Sequence, residues 1–267
     1  MSALEAFLLG LVQGLTEFLP VSSSGHLVIG KALFGIELED ASFEIIVHIA
    51  TALSIVVVFR RQIWEMIADT VRFRKTEATA LTWRVLFSAL PVLVVGLFFK
   101  DRIEIFFTTK GTAVVGWMLL LTAVLLGLAH WLSVRRQKTG KTHPIRFLDA
   151  FVIGVAQACA VMPGLSRSGA TIATGLMLGV EKDKVAPFSF LMVLIPILGQ
   201  AFLGIVGGEF TPAATGLSVT AMGIGFVTAF ASGWLACRFM LALVRNMKLT
   251  WFAGYCLLVG LASVLFL

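Results

Sequence analysis

Charge is scarce in this sequence. Only 13% of its 267 residues are Asp, Glu, Lys or Arg, roughly half the ~25% that soluble domains carry. The mean hydropathy is +0.97. Such a chain cannot wet a globular surface, which excludes a soluble enzyme, a disordered chain and a nucleic-acid-binding domain. The net charge of +6 and pI of about 9.6 would suggest nucleic acid in a soluble protein; here they read as basic loops that fix orientation in a membrane. Cysteine is scarce as well. Cys159, Cys237 and Cys256 lie in apolar runs without paired spacing, so neither a disulfide framework nor a zinc site is implied. Residues 1–25 lack a basic n-region and carry Glu5 and Glu17, so no cleaved signal peptide is expected. Period-2 alternation over ten-residue units is missing, which excludes a β-barrel. What remains is an integral membrane protein with a single domain, 1–267.

A spanning helix needs about 20 mostly apolar residues. Six stretches qualify: 43–59, 83–99, 112–132, 186–206, 217–237 and 250–267. Two further apolar stretches are interrupted. Residues 3–34 are broken by Leu19-Pro-Val-Ser-Ser-Ser-Gly-His26, and residues 149–180 by Val161-Met-Pro-Gly-Leu-Ser-Arg-Ser-Gly169. Irregular backbone at membrane depth survives only where protein or a wet cavity covers it. Each stretch therefore reads as a re-entrant helical hairpin with a polar tip, and the tips are expected to meet inside the bundle. The hairpins also match each other at an offset of 144: Gly10 with Gly154, Gln13 with Gln157, Ser22 with Ser166, Ser24 with Ser168, Gly25 with Gly169 and Gly35 with Gly179. Each half holds one hairpin and three spans. Three is odd, so the second half is inverted relative to the first. The expected fold is all-α: six transmembrane helices plus two re-entrant hairpins in an inverted-topology repeat, 1–140 and 145–267. Such repeats place binding sites at their interface.

Orientation follows from the basic residues. Sixteen Lys and Arg, within 60–84, 135–146, 182–184 and 238–248, fall on one side, against Lys31, Lys100, Arg102 and Lys110 on the other. The positive-inside rule makes the first side cytoplasmic. Both termini then lie outside, with Lys138 inside and Glu209 outside. The basic loops at 60–75 and 133–146 would rest on anionic lipid. Trp64, Trp83, Trp131 and Trp251 near span ends read as interfacial anchors. His130 and His143 receive no role, and His48 reads as a hydrogen-bonded interior histidine.

The twenty-first basic residue, Arg167, belongs to neither side and sits at the second tip. Arginine at that depth costs between ~3 and ~15 kcal/mol unless paired or hydrated. Its structural reading is an ion pair with Glu17. Its functional reading is an anion site, because guanidinium matches phosphate oxygens with a planar fork of donors. Ser166, Ser168 and Thr171 add hydroxyls beside it, and a helix starting near Ser168 would aim its free N–H groups at the same place. At the first tip, Gln13 and Glu17 share a helical face. Glu17 can ligate a hard divalent cation or act as a base; Gln13 offers a neutral oxygen or an amide donor. Ser22, Ser23 and Ser24 supply hydroxyls and His26 an imidazole. Serines at such a tip also cap helices. Glu17, His26 and Arg167 converging on facing tips is nonetheless hard to explain as packing.

At these residues the chain resembles the bacterial undecaprenyl-diphosphate phosphatase family, also called the bacitracin-resistance protein family. The carriers are Gln13-Gly-Leu-Thr-Glu17-Phe-Leu-Pro-Val-Ser-Ser-Ser-Gly-His26 and Pro163-Gly-Leu-Ser-Arg-Ser-Gly-Ala-Thr171. The resemblance runs over essentially the whole length. It implies removal of the terminal phosphate of a C55 lipid diphosphate, recycling the carrier for cell-wall synthesis, with a divalent cation (Mg²⁺ or Ca²⁺) and a site opening outward from the bacterial plasma membrane. It also implies that Glu17, Ser23, His26 and Arg167 do the chemistry; the residues themselves put Ser22, Ser24, Ser166, Ser168 and Thr171 around the phosphates and Glu17 and Gln13 at the metal. Gln13 stands where many members carry Glu, so it brings no charge to a metal. Ser24 stands where Thr is common. A type 2 phosphatidic acid phosphatase signature is excluded, since it needs a histidine six residues after the arginine and position 173 is Ala173.

Two function classes follow: a lipid-diphosphate phosphohydrolase, and a carrier moving a polyprenyl phosphate between leaflets through the same repeat architecture. A carrier needs Arg167 but has less use for Glu17, Ser23 and His26 together. The nucleophile is open among Ser23, His26 and a metal-bound water. The resemblance points to Ser23, with His26 as proton shuttle if the tip turns helical there. The expected partners are the polyprenyl diphosphate and membrane lipids, with a homodimer compatible and nucleic acid excluded.

Overall fold

A computed structural model describes residues 1–36, 42–208, 217–246 and 249–266, except the side chains of 100–111 and 244–246. Glu209 and Lys248 lie outside the described residues, as do the side chains of Lys100, Arg102, Lys110 and Arg245. Among the described residues all regular structure is helical, apart from one isolated bridge between His143 and Val180.

The two interrupted stretches form two helix pairs. In the first, α1 (Ala3–Phe18) runs into α2 (Ser23–Phe34). Leu19 is extended, as a residue before proline must be, and this ends α1. Ser22 opens α2, its side chain accepting from the Gly25 N–H at 3.2 Å. In the second, α8 (Phe147–Cys159) is followed by α9 (Arg167–Leu178). Here Ser166 accepts from the Gly169 N–H at 3.0 Å. Both second helices close on a left-handed glycine, Gly35 and Gly179, the usual stop where no Cβ opposes positive φ. Caps and stops thus recur at the same 144-residue offset as the sequence.

Between and after these pairs run the longer apolar elements. They are α3 (Ser42–Val58), α4 (Arg60–Val71), α5 (Glu77–Ser88), α6 (Leu90–Phe98) and α7 (Lys100–Lys138) in the first half. The second half has α10 (Lys182–Met192), α11 (Leu194–Gly207), α12 (Val219–Asn246) and α13 (Thr250–Phe266). Four stretches among the described residues are long and apolar enough to cross a membrane: Glu77–Phe98, Thr112–Lys138, Lys182–Gly207 and Val219–Leu243. The pair α3 and α4 makes a fifth if counted as one, although it bends by 78°. The bend falls where the apolar run of α3 gives way to Arg60 and Arg61. The last helix, α13, is apolar but only 17 residues long. This is a multi-pass membrane protein. Its outward apolar side chains, among them Leu97, Phe98, Phe202, Val206 and Leu258, are far more exposed than a water-soluble surface tolerates.

Packing crosses between the halves. Helix α1 lies along α12, which also packs on α3, while α8 lies against α5 and α6. Helix α7 packs on α13 and α9. Glycines permit the closest approaches: a Cβ on Gly10 would sit 2.6 Å from the Gly225 carbonyl oxygen of α12. A Cβ on Gly154, its repeat mate, would sit 2.2 Å from the Ser88 carbonyl oxygen at the end of α5. Close helix approach through small residues is how helices associate when lipid removes the hydrophobic drive. The tips meet in the middle, where a Cβ on Gly25 would lie 3.1 Å from the Gly164 Cα.

Candidate active site

The centre of the tip-to-tip contact is Glu17, only 3% exposed. Burying a carboxylate at this depth is tolerable only if donors surround it, and they do. The Arg167 guanidinium forms an ion pair with Oε1 through Nη2. The Ser23 hydroxyl donates to Oε2 at 2.5 Å, and the Gln13 amide donates to Oε2 at 2.9 Å. His48 brings Nε2 to 3.6 Å from Oε2. Four side chains from α1, α2, α3 and α9 therefore converge on one carboxylate.

Arg167 is not used up by that pair. Its Nε and Nη1 are buried and have no hydrogen-bond partner among the described residues. The Gln13 Oε1 oxygen is likewise buried without a donor among them. Unmet polar atoms of this kind are rare in folded proteins, and each calls for an explanation. Beside Glu17 the structure thus leaves two donors on a cation and one acceptor oxygen free.

The hydroxyls divide into two groups. Ser23 and Ser24 are partly exposed, and the Ser24 Oγ lies 3.4 Å from the Ser22 Oγ. The others hold the tips in shape. Ser22 caps α2 from a left-handed conformation, φ 71°, which costs of order 1–3 kcal/mol in a non-glycine residue. Ser166 caps α9, and its N–H donates to the Thr122 hydroxyl of α7 at 3.0 Å. Ser168 donates across the interface to the Leu19 carbonyl at 3.0 Å. Thr171 donates to the Arg167 carbonyl at 2.8 Å and shares a 2.6 Å hydrogen bond with Ser189. The helix beyond the second tip begins at Arg167, one residue before the expected Ser168, with Ser166 as its cap.

His26 departs from expectation. The tip does turn helical at Ser23, but the imidazole does not face the Ser23 hydroxyl. Its Nδ1 lies 2.7 Å from the Ser22 carbonyl oxygen, and its Nε2 lies 2.7 Å from the Tyr255 hydroxyl of α13. The carbonyl at the start of α2 and a phenol from a distant helix outcompete the neighbouring serine. Ser23 is turned to Glu17 instead.

Two neighbours were missed by sequence reasoning. His48 does bond the Glu44 carbonyl, at 2.7 Å, as an interior histidine should, yet its other nitrogen faces Glu17. Tyr255 carried no motif at all. Neither had a signal in its own segment, because its partner arrives from another helix. Gln157, the repeat mate of Gln13, is also buried, with both amide atoms unpartnered among the described residues. His143 ties the end of α9, its Nε2 lying 3.2 Å from the Leu178 carbonyl oxygen.

Residues 6–262 match the family model described as "Bacitracin resistance protein BacA". Similar proteins named undecaprenyl-diphosphatase include one from Parabacteroides distasonis, 49% identical over 99% of this chain and 98% of its own length. Another, from Bacteroides fragilis, is 48% identical over 97% and 96%. One from Oceanobacillus iheyensis is 36% identical over 98% and 95%.

Proposed function

The chain belongs to the bacitracin resistance protein BacA family, and from that premise and the site geometry we propose that it hydrolyses undecaprenyl diphosphate to undecaprenyl phosphate and inorganic phosphate. The observation that carries this reading is the Ser23–Glu17–Arg167 cluster, with two buried guanidinium nitrogens unclaimed. A nucleophile in hydrogen-bond contact with a base, beside an unsatisfied cation, is the arrangement phosphoryl transfer requires. The carrier alternative has no comparable observation in its favour.

The diphosphate's terminal phosphoryl group takes the free Nε and Nη1 donors of Arg167, which neutralise its equatorial oxygens as charge develops. Ser23 Oγ attacks the terminal phosphorus, and its proton passes to Glu17. The bond to the bridging oxygen breaks, and the lipid monophosphate leaves. Water then attacks the phosphoserine and releases inorganic phosphate, while His26 moves protons at its Nε2. Ser24 is placed to contact the phosphates. Ser22, Ser166, Ser168 and Thr171 act by fixing the tips.

One carboxylate and one amide oxygen could hold a divalent cation here with the substrate's oxygens, since among the described residues no cluster of three His, Cys, Asp or Glu would hold one alone. Gln13 Oε1 is a buried acceptor without a donor, and it adjoins the Glu17 carboxylate. Hard cations such as Mg²⁺ are commonly held by one or two carboxylates together with substrate phosphates. Glu17 and Gln13 would hold it, and its contribution would be to offset diphosphate charge beside the carboxylate.

In the membrane the chain adopts six spans and two re-entrant hairpins arranged as an inverted repeat. The recurring caps and the reciprocal packing of α1 on α12 and α8 on α5 and α6 support this. The basic residues of 60–75 and 133–146 then face the cytoplasm against anionic lipid. Both termini lie outside, and the site opens outward from the plasma membrane.

The test uses purified protein in detergent, where no leaflets exist, with undecaprenyl diphosphate labelled on its terminal phosphate. Release of labelled phosphate is expected, and acid quenching during turnover should leave acid-stable label on Ser23. Acid-labile label that vanishes in His26→Gln would move the nucleophile to His26. Absence of phosphate release, together with lipid transfer in vesicles, would establish the carrier instead.

A further inference from the structure

His26 is held from both sides. The Ser22 carbonyl oxygen beside Nδ1 can only accept, so in the neutral ring this nitrogen carries the proton and Nε2 carries the lone pair. The Tyr255 hydroxyl then donates to Nε2 at 2.7 Å. The two rings lie almost parallel, 8° apart in plane, with centroids 5.5 Å apart. The adjoining residue repeats the grip: the Cys256 thiol lies 3.6 Å from the Pro20 carbonyl oxygen. Two consecutive residues of α13 thus clasp the first hairpin tip, one of them through the imidazole.

We propose that Tyr255 is a positioning residue for His26: on the tautomer that the Ser22 carbonyl fixes, its hydroxyl fills the Nε2 lone pair and holds the ring plane, then turns to accept once Nε2 is protonated. The proposal rests on the reading of His26 as the group that moves protons. Nδ1 is committed to the backbone, so any proton that His26 takes up must arrive at Nε2. The hydroxyl keeps that nitrogen aimed between turnovers. Without it the ring retains one hydrogen bond and can rotate about its remaining torsions. Orientation is a large part of what a general acid or base contributes.

Tyr255 is the only tyrosine in the chain, which makes the test clean. Tyr255→Phe keeps the stacked ring and removes the hydroxyl. In detergent it should lower kcat about 5- to 10-fold, the scale of one hydrogen bond, with KM unchanged. Growth on 3,5-difluorotyrosine replaces this one phenol with a more acidic one, and turnover should shift about twofold or more, since donor strength tracks acidity. A purely structural ring would not respond. In a His26→Gln background, Tyr255→Phe should cost nothing further. A Tyr255→Phe protein with unchanged kcat, or one whose loss persists undiminished without His26, would overturn the proposal. Normal turnover by His26→Gln alone would remove the premise, and that single variant separates the two failures.

Discussion

Glu17 and Arg167 illustrate what a membrane interior demands of single residues. Each is buried, each is paired, and each keeps a further purpose: Glu17 receives the Ser23 hydroxyl, and Arg167 retains two free nitrogens. Arg167→Lys preserves charge but loses the fork. Turnover should fall at least ~10-fold, since one charge-assisted hydrogen bond is worth about 1.5–3 kcal/mol. Arg167→Ala should lose nearly all turnover, and its thermal unfolding must be followed in parallel, because stranding one partner of a buried pair can cost about 3–5 kcal/mol. Glu17→Gln keeps an acceptor for Ser23 yet removes the base, so a loss of at least about 100-fold is expected. Exhaustive chelation should abolish phosphate release reversibly. Retained turnover after chelation would leave Glu17 the role of base alone. Glu17 and Arg167 were legible in the sequence because a charge inside an apolar run is too costly to be accidental. His48 and Tyr255 were not, because nothing within α3 or α13 betrays a partner that only tertiary packing delivers.

At the scale of elements, the site depends on two short helices starting at the right depth. Ser22 and Ser166 do this by capping, and Gly164 by letting the second tip pass under α7. Gly164 has φ +90°, and a Cβ there would lie 2.7 Å from the Val115 carbonyl oxygen. Gly35 also has positive φ, at +63°, but faces open space. The pair makes a controlled comparison. Gly35→Ala should cost only the backbone strain, of order 1 kcal/mol, with turnover close to wild type. Gly164→Ala should lower the unfolding temperature further and reduce turnover, because the tip must shift away from Val115. Equal effects of the two, measured by thermal unfolding and phosphate release in the same detergent, would mean that tip position does not govern the site. Both interrupted helices were readable from Pro20, Pro163 and the glycines near them. The 78° bend between α3 and α4 was not, since the sequence shows only where the apolar run stops and not which way the chain turns.

At the scale of the whole molecule, the halves cooperate by exchange, each hairpin packing on helices of the other half. The 144-residue offset pairs the two hairpins in sequence, and the caps at Ser22 and Ser166 recur at it in the fold; the cross-packing itself could not be read from it. The proposed orientation rests on charge. Cysteines at Ala3 and Lys138, in a background without Cys159, Cys237 and Cys256, should label from outside and inside respectively on intact cells. Labelling of both by one impermeant reagent would contradict the inverted arrangement. If two tips, one from each half of the chain, make a single reaction centre, a double-mutant cycle across them must show it. Ser23→Ala and Arg167→Lys, each confirmed folded, are measured alone and together by phosphate release in detergent. Groups serving one transition state are strongly non-additive. The double variant should be no slower than the slower single. Losses that multiply in full would contradict it, assigning the two tips to separate tasks.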